Sequence, residues 1–302
     1  MISEDLADLI TVVISTKNRW PDLQRALESL RKQTLPHRVI VMDDNSDDGT
    51  SEEIKMNYRE VELYRFDQSA GYIVRRNEAI RLAKTAYVLS IDDDCTLDAP
   101  ETLGQIASFC QRTHCAAVAW PYVDVNVSST VQSIAPDNRL WQACTFKGCA
   151  FVVLRDTFLK LGGFRQSFVH QGEEEDFCIR LLDAGYPVLL GAGHAINHHE
   201  SPKRSWERMD FFGSRNLILF AFFNIPYRFL PIQLAGSAIK SFLWGFKIKR
   251  PYHKSRGVLH GFRDGLKMMP KERKAVSVQT FLKYRSLKKQ NYPLAQTPHV
   301  KV

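Results

Sequence analysis

Short apolar runs alternate with segments of helical periodicity along the first part of the chain. Residues 10–15 (ITVVIS) form a continuous, β-branched run, which is typical of a strand buried on both faces of a sheet. The same pattern predicts further strands over residues 38–43, 61–66 and 87–91. Apolar residues at helical spacing predict helices over residues 22–33, 51–57 and 71–84. This alternation predicts an α/β fold with a mostly parallel sheet flanked by helices.

Polar side chains follow these predicted strands, at the end of a parallel sheet where ligands bind. The first strand runs into residues 16–19 (TKNR), the second ends at Asp43-Asp44, and the fourth runs into Asp92-Asp93-Asp94. Neither a GxGxxG motif nor a Walker A loop follows the first strand. Their absence from the sequence argues against a dinucleotide-dependent dehydrogenase and against a P-loop NTPase.

The acidic triplet is a candidate metal site. Asp92 and Asp94 lie on the same side of an extended chain, and carboxylate oxygens suit Mg²⁺ or Mn²⁺. A bound ion of this kind can neutralise charge on a departing diphosphate. The alternative is a solvated loop or a helix cap, for which Asp98 is the better candidate. Arg75 and Arg76 begin a predicted helix and can bind an anion, and we expect one of the two to face solvent.

A second acidic cluster precedes another predicted helix. Glu173, Glu174, Glu175 and Asp176 occupy its first turn, where the helix dipole favours negative charge. That structural role suffices for Glu175, but one of the other acids can act as a general base. Arg180 follows Asp176 by four residues, so we expect the two to pair.

Histidines follow this cluster in the sequence. His198 and His199 come shortly after a strand-like run at residues 187–190. A metal ligand, a phosphate contact and a purely structural role are all open for them.

Charge divides the chain into an acidic body and a basic end. The whole chain carries a net charge of +8, but residues 1–202 carry −9 and residues 203–302 carry +17. The six cysteines form no CxxC pair, which favours reduced thiols in a cytoplasmic protein. The N-terminus has neither the basic start nor the small-residue cleavage site of a signal peptide.

The basic end begins with an apolar region at residues 211–246, which Arg228, Pro226 and Pro231 interrupt. These interruptions leave no run of about 20 apolar residues, so a transmembrane helix is not predicted. Two interpretations remain: helices packed on the catalytic domain, or an amphipathic surface in peripheral contact with an anionic membrane. Aromatic residues are not interleaved with basic ones, so nucleic acid is not an expected partner. Residues 291–302 are expected to form a loose tail.

Taken in order, these segments resemble the family 2 glycosyltransferases, which have the two-lobed GT-A fold. The matching segments are ITVVISTKNR, VIVMDDNSDDGT, SAGYIVRRNEAI, LSIDDDC and GEEEDFCIRLLDAGY followed by INHH. The resemblance implies a Rossmann-like nucleotide-binding half over residues 1–98 and an acceptor half over residues 99–210. A basic helical extension over residues 211–290 and the tail follow.

The resemblance also implies roles for individual residues. The nucleotide-sugar donor would contact Thr16, Asn18, Asp43, Asp44, Gly71, Arg76, Asp92 and Asp93, with Asp43 on the base. The metal ligands would be Asp92, Asp94 and His198, with His199 as the alternative to His198. The catalytic base would be Glu174, with Glu173 or Glu175 as alternatives because the family usually has Asp there. Asp176 and Arg180 match the later acid and arginine of the same motif, and residues 147–150 would edge the sugar pocket.

The activity implied is transfer of a sugar from a UDP-, dTDP- or GDP-sugar, with inversion and with Mn²⁺ or Mg²⁺. The acceptor would be a hydroxyl on a glycan or a lipid-linked molecule, as in cell-surface polysaccharide or glycolipid synthesis, and rhamnosyl transfer is one example. A sugar-phosphate nucleotidyltransferase is an alternative, but it should carry a glycine- and arginine-rich loop where this chain has residues 16–19. A non-catalytic nucleotide-sugar-binding protein is a second alternative, which Glu174 in place of Asp favours.

Overall fold

A computed structural model describes residues 9–200 and 205–294. Its strands are β1 Ile10–Thr16, β2 Arg38–Asp43, β3 Val61–Arg65, β4 Tyr87–Asp92, β5 Cys95–Thr96, β6 Ala117–Ala119, β7 Tyr122–Asp124, β8 Trp141–Ala143, β9 Ala150–Leu154, β10 Val188–Leu190, β11 Ile196–His198 and β12 Tyr292–Pro293. Its α-helices are α1 Trp20–Arg31, α2 Thr50–Asn57, α3 Tyr72–Leu82, α4 Thr102–Thr113, α5 Arg155–Lys160, α6 Glu173–Asp183, α7 Trp206–Asn224, α8 Leu230–Lys247, α9 Pro251–Glu272 and α10 Val278–Leu287. The strands and helices predicted in the first part of the chain are confirmed.

The main sheet of the described residues has the strand order β12-β8-β10-β6-β9-β4-β1-β2-β3. β1 pairs in parallel with β2 and β4, and β3 continues the parallel part beside β2. Alternate residues of β1 enter opposite cores, since Val13 packs on one face of the sheet and Val12 and Ile14 pack on the other. Burial on both faces explains why this strand reads as a continuous apolar run.

The second half of the sheet mixes strand directions. β9 runs antiparallel between β4 and β6, and β10 is parallel to β6. A smaller sheet, β5-β11-β7, lies apart from the main one, with β11 antiparallel to β5 and parallel to β7. The large sheet forms the centre of the fold, and the small sheet brings together polar residues that are far apart in the sequence.

The basic end of the chain is helical, as expected. α9 packs closely along α7 because glycines face it: a Cβ at Gly257 would lie 2.2 Å from the Phe211 carbonyl oxygen, and one at Gly261 would lie 2.8 Å from that of Arg215. Arg215 on α7 donates to Asp264 on α9 over 2.8 Å. Among the described residues, no helix is both long enough and apolar enough to cross a membrane.

The predicted loose tail is wrong for its first residues. Tyr292–Pro293 forms β12 and pairs antiparallel with β8, because residue 292 lies opposite Gln142 at the edge of the main sheet. Residues 295–302, the rest of that prediction, lie outside the described residues.

Candidate active site

The carboxyl ends of the parallel strands meet at one edge of the sheet. In register, Thr16 at the end of β1 lies opposite Asp43 at the end of β2, and Ser15 lies opposite Asp92 at the end of β4. This juxtaposition follows from the parallel pairing, since every strand in this part ends on the same side. The polar residues predicted to meet at strand ends are therefore brought together.

The loop after β2 is tied to the loop after β1. Asn18 has a positive φ of 53°, its N–H donates to Ser46 Oγ over 2.9 Å, and its side-chain oxygen accepts from Asp47 N–H over 2.8 Å. Asp43 is fully buried and accepts from Ser46 N–H over 2.8 Å and from the Ser51 hydroxyl. Asp43 thus stabilises the loop that follows β2, and its predicted contact with a nucleotide base stays a prediction.

Asp44 anchors the start of helix α3. Its carboxylate accepts hydrogen bonds from the Ser69 hydroxyl, the N–H groups of Ala70 and Gly71, and Arg75 Nε, at 2.6 to 2.9 Å. Burial alone would raise the pKa of Asp44, but these donors outweigh burial and lower it. Gly71 has a φ of 91°, a left-handed conformation that favours glycine.

Arg76 links two acidic clusters. Its Nη2 lies 2.7 Å from Asp92 Oδ1, and its Nη1 lies 3.6 Å from Glu173 Oε1. The prediction that Arg75 or Arg76 faces solvent is wrong, because both are buried. Arg75 stacks 3.4 Å over the Phe66 ring centroid, so it is held by α3 and its surroundings while Arg76 points to the acids.

Asp93 is held by the β1 loop. It accepts from the Thr16 hydroxyl over 2.8 Å, and Arg19 Nη1 lies 2.9 Å from its other oxygen. Burial raises the pKa of Asp93 to about 7, and the negative charges of Asp94 and Asp92 add to that rise against the opposing charge of Arg19. Arg19 also reaches Asp94, with Nη2 2.8 Å from Oδ2. The guanidinium therefore spans two of the three acids.

Asp94 and His198 form a candidate metal centre. His198 Nε2 lies 3.3 Å from Asp94 Oδ1, and Nδ1 lies 2.6 Å from Asp124 Oδ1. The cause is strand pairing: β11 places His198 opposite Cys95 on β5 and opposite Asp124 on β7. Burial alone would lower the pKa of His198, but hydrogen bonds to Asp94 and Asp124 raise it to about 10. His198 therefore keeps a proton beside Asp94, and a metal cation could bind between the two side chains in place of that proton.

These residues fit a divalent cation. Asp94 Oδ1 is buried and faces His198 Nε2, and the Asp94, Cys95 and His198 donor atoms lie within 4.8 Å of one another. Asp124 on the second ring nitrogen would fix the orientation of a ligating imidazole. Burial, with Cys149 beside it, raises the pKa of the Cys95 thiol well above its usual value, so Cys95 is a poor ligand. A carboxylate oxygen and an imidazole nitrogen remain, two donors that could hold a divalent cation.

Two predicted ligands separate from this group. The side chain of Asp92 lies apart and pairs with Arg76, so its coordination of a metal stays a prediction. His199 points elsewhere: its N–H donates to the Asp94 carbonyl oxygen over 2.8 Å, and its ring lies 3.0 Å from Thr96 Oγ1. Adjacent residues of an extended chain face opposite ways, so His198 and not His199 turns its ring toward the Asp94 carboxylate.

The first turn of α6 brings two of its acids, Glu173 and Glu174, close to Arg76. Glu173 is fully buried, and burial together with the charge of Glu174 raises its pKa well above the usual value, against the opposing charge of Arg76. Glu174 is partly exposed and lies against Gly148, where an added Cβ would be 2.9 Å from Glu174 Oε1 and 3.1 Å from Arg76 Nη1. Glu174 is therefore the acid of this turn that combines access to solvent with a position near the charge of Arg76.

The remaining predicted residues of this motif have supporting positions. Glu175 turns away, accepting from Tyr284 of the C-terminal helix α10 and from Lys288, which follows that helix. Asp176 is fully buried and bonded to Arg165, to Arg180 and, over 2.7 Å, to Asn224. Arg180 donates to the carbonyl oxygens of Leu161 and Gly163 over 2.7 and 2.6 Å. The expected pairing of Asp176 and Arg180 is confirmed. Both residues support the turn through these bonds, and their placement in the catalytic set stays a prediction.

Sequence reasoning missed Arg19 and Asp124. Arg19 ends the TKNR segment at the first strand end, so its position was a signal that could have been used. Asp124 is 74 residues from His198, in a segment with no recognisable motif. The expected helix-capping role of Asp98 is also wrong, since it accepts from Asn197 over 2.6 Å and α4 begins after Glu101.

Comparison with known proteins adds family and fold. The family model described as Glycosyl transferase family 2 matches residues 11–168. The pre-mycofactocin glycosyltransferase of Mycobacterium tuberculosis is 26% identical over 251 residues, which cover 78% of this chain and 52% of that protein. The chain thus spans about half the length of this curated relative.

Solved structures share the architecture. S. aureus TarS 1-349 in complex with UDP-GlcNAc has a TM-score of 0.62 at 17% identity, covering 87% of this chain and 82% of that one. The mannosyltransferase PcManGT from Pyrobaculum calidifontis, in complex with GDP-Man and Mn²⁺, has a TM-score of 0.56 at 17% identity, covering 93% and 79%. The fold is of the GT-A type, and because the family match covers more than half of its residues, the chain belongs to glycosyl transferase family 2.

Proposed function

We propose that this chain transfers a sugar from a nucleoside-diphosphate sugar to a hydroxyl acceptor, with inversion at the anomeric carbon. The observation that carries the proposal is Arg76, whose guanidinium bridges Asp92 at the β4 end and Glu173 at the α6 tip. In this proposal the donor phosphates lie by the strand end at Asp92 and the base is Glu174, which adjoins Glu173, so one buried cation lies between the two. Relatives that bind UDP-GlcNAc or GDP-Man with the same fold support the donor class.

The proposed donor half is residues 1–98 and the proposed acceptor half is residues 99–210, with the cleft between them. The loops after β1 and β2, around Asn18 and Asp44, are suited to hold the nucleotide. Asp94 and His198 would hold Mn²⁺ or Mg²⁺, which when bound supplies positive charge beside the diphosphate. The acceptor would be a glycan or a lipid-linked molecule in the assembly of a cell-surface polysaccharide or glycolipid.

The proposed reaction is a single displacement in which Glu174 is the base. A Glu174 oxygen takes the acceptor hydroxyl proton as the acceptor oxygen bonds to the anomeric carbon. The bond from that carbon to the diphosphate oxygen breaks, and its electron pair leaves with the nucleoside diphosphate. Arg76 is buried and preset by Asp92, so its charge needs little reorganisation as negative charge develops nearby.

Donor turnover tests the proposal. Release of nucleoside diphosphate from UDP-, dTDP- and GDP-sugars would be measured with Mn²⁺, alongside calorimetric binding of the same nucleotides. We expect turnover of one donor, and Glu174→Gln should lower it by at least about a hundredfold while nucleotide binding persists. A matched control is Glu52→Gln, an exposed glutamate on α2, which should leave turnover unchanged.

The same measurements separate the alternatives. Nucleotide binding with no turnover of any donor, tested with sugar and glycolipid acceptors present, would favour a non-catalytic binding protein. Formation of nucleotide sugar and pyrophosphate from a nucleoside triphosphate and a sugar phosphate would favour a nucleotidyltransferase. No nucleotide binding at all would refute the donor class.

A further inference from the structure

Helix α8 is packed with its small residues inward. Its buried positions include Ser237, Ser241 and Gly245, which recur every four residues on one side of the helix. A Cβ at Gly245 would lie 2.9 Å from the Pro251 Cα, so this side is in close backbone contact with the start of α9. In a helix whose partner is only the protein body, large apolar residues would be expected on the inward side.

The opposite side of α8 carries the large apolar residues. Ile232, Ile239, Leu243 and Phe246 are 76%, 59%, 62% and 56% exposed, and helical spacing places them together. We call these four residues the outer stripe. Single exposed apolar residues are ordinary, but a continuous stripe of this kind marks a surface that meets something apolar.

Basic residues border the outer stripe. Lys240 and Lys247 are exposed and seven residues apart, so they lie along one edge of it. The next helix repeats the arrangement, since Tyr252, Leu259 and Leu266 are 64%, 69% and 64% exposed at seven-residue intervals, with Arg256 and Arg263 among them. Residues 211–263 contain nine Lys or Arg and no Asp or Glu.

Apolar side chains flanked by positive charge select the partner. Asp210 and Asp264, which bound this segment, already pair with Arg250, Lys254, Arg215 and Arg263. Lys240 and Lys247 form no ion pair within the described residues, so a second copy of this chain would bring like charges against each other along the stripe. An anionic bilayer offers both an apolar interior and negative headgroups. Since no described helix can cross a membrane, the contact would lie in the plane of the surface.

We propose that the outer stripe of α8 docks this protein on an anionic membrane, with its apolar side chains among the lipid headgroups and its lysines on the phosphates. The inference does not depend on the transfer chemistry. If the proposed function holds as well, docking would bring the cleft to lipid-linked acceptors.

Vesicle flotation of the full chain tests this inference. The chain should float with vesicles of phosphatidylcholine mixed with phosphatidylglycerol, should not float with phosphatidylcholine alone, and should be released by raised salt. Lys240→Gln/Lys247→Gln should weaken binding about 30-fold, since each basic residue near such a surface contributes about a tenfold factor or somewhat less. Ile239→Ser/Leu243→Ser/Phe246→Ser should weaken binding by at least about a hundredfold.

A matched control removes exposed apolar residues from elsewhere. Met56→Ser/Val127→Ser changes side chains that are 61% and 70% exposed outside the helical extension, and it should float like the unmodified chain. Flotation of the triple serine variant at the unmodified level would overturn the proposal. So would a dimer of the unmodified chain in sedimentation that the triple variant converts to monomer, because the stripe would then be a self-contact. Donor turnover in solution is read separately, so a chain that floats without turnover refutes the proposed function alone.

Discussion

Replacing Gly148 by alanine perturbs the proposed base with a single methyl group. An added Cβ would lie 2.9 Å from Glu174 Oε1 and 3.1 Å from Arg76 Nη1, whereas ordinary contact begins at 3.4 Å. The Glu174 oxygen must therefore move by at least about half an ångström, and Arg76 by somewhat less. Both atoms are the far ends of long side chains, so the backbone can stay where it is.

The magnitude follows from the sensitivity of catalysis to position. A misplacement of about 1 Å costs about a hundredfold in rate, so we expect Gly148→Ala to lower kcat by about 10- to 100-fold. Stability should change by less than about 1 kcal/mol, because side-chain ends can yield. Steady-state release of nucleoside diphosphate, together with thermal unfolding of the same samples, would measure both quantities.

Gly104→Ala is the matched control. Gly104 lies within helix α4, and nothing lies within 4 Å of an added Cβ there. This change should leave kcat unchanged and should stabilise the protein by up to about 1 kcal/mol, the difference in helix propensity. If Gly148→Ala retained the kcat of the unmodified chain, the placement of Glu174 against Arg76 would not matter to the reaction, and the reasoning would be refuted.

Three further changes probe the surroundings of the cleft. Asp124→Ala should weaken Mn²⁺ binding about 10- to 100-fold in calorimetry, because Asp124 orients His198; unchanged affinity would argue against that imidazole as a ligand. Asp176→Ala should cost about 3–5 kcal/mol in urea unfolding, since it removes the buried carboxylate that Arg165 and Arg180 share, and a loss within about 1 kcal/mol would contradict this. Burial opposes ionisation of Asp264, but hydrogen bonds from arginines outweigh it and lower its pKa below the ordinary 3.8. The ionised Asp264 carboxylate therefore stabilises the fold above pH 3.8, and this stabilisation is lost as the pH falls below that value. Asp264→Asn should have a lower free energy of unfolding than the unmodified chain at neutral pH, and this difference should narrow only below pH 3.8. A difference that stays constant with pH would contradict the assignment.

The parallel half of the fold could be predicted because its signals are local. Strand β1 is apolar along its whole length since both faces of the sheet are covered, and α1 repeats apolar residues every three or four positions. Apart from β10, which the strand-like run at residues 187–190 indicated, the short strands were not predicted, because two or three residues such as those of β5 and β11 carry no periodicity. The pairing of β12 with β8 was missed for the same reason, because it depends on β8 lying at the edge of the main sheet.

The candidate site, too, could be predicted only in part from the sequence. Asp94 and His198 could be selected from the sequence, but their approach depends on β11 pairing with β5, a contact across about a third of the chain. The choice of His198 over His199 then follows from strand geometry. Asp124 could not be selected, since nothing near it in sequence marks a ligand-orienting carboxylate. The complete burial of Asp43 and Asp176 could not be predicted, because burial of a single charged residue has no local signature.

Arg76 shows why the two acidic clusters should be considered together. It is buried, and its two terminal nitrogens face Asp92 and Glu173, one in each of the two halves proposed for the fold. Its Nη1 and both Glu173 oxygens have no hydrogen-bond partner within the described residues. Unpaired buried polar groups are costly, so this arrangement is better satisfied once a further polar group enters the cleft. The halves are therefore electrostatically coupled, and a charge placed beside Asp92 alters the field at Glu173 and at the adjacent Glu174.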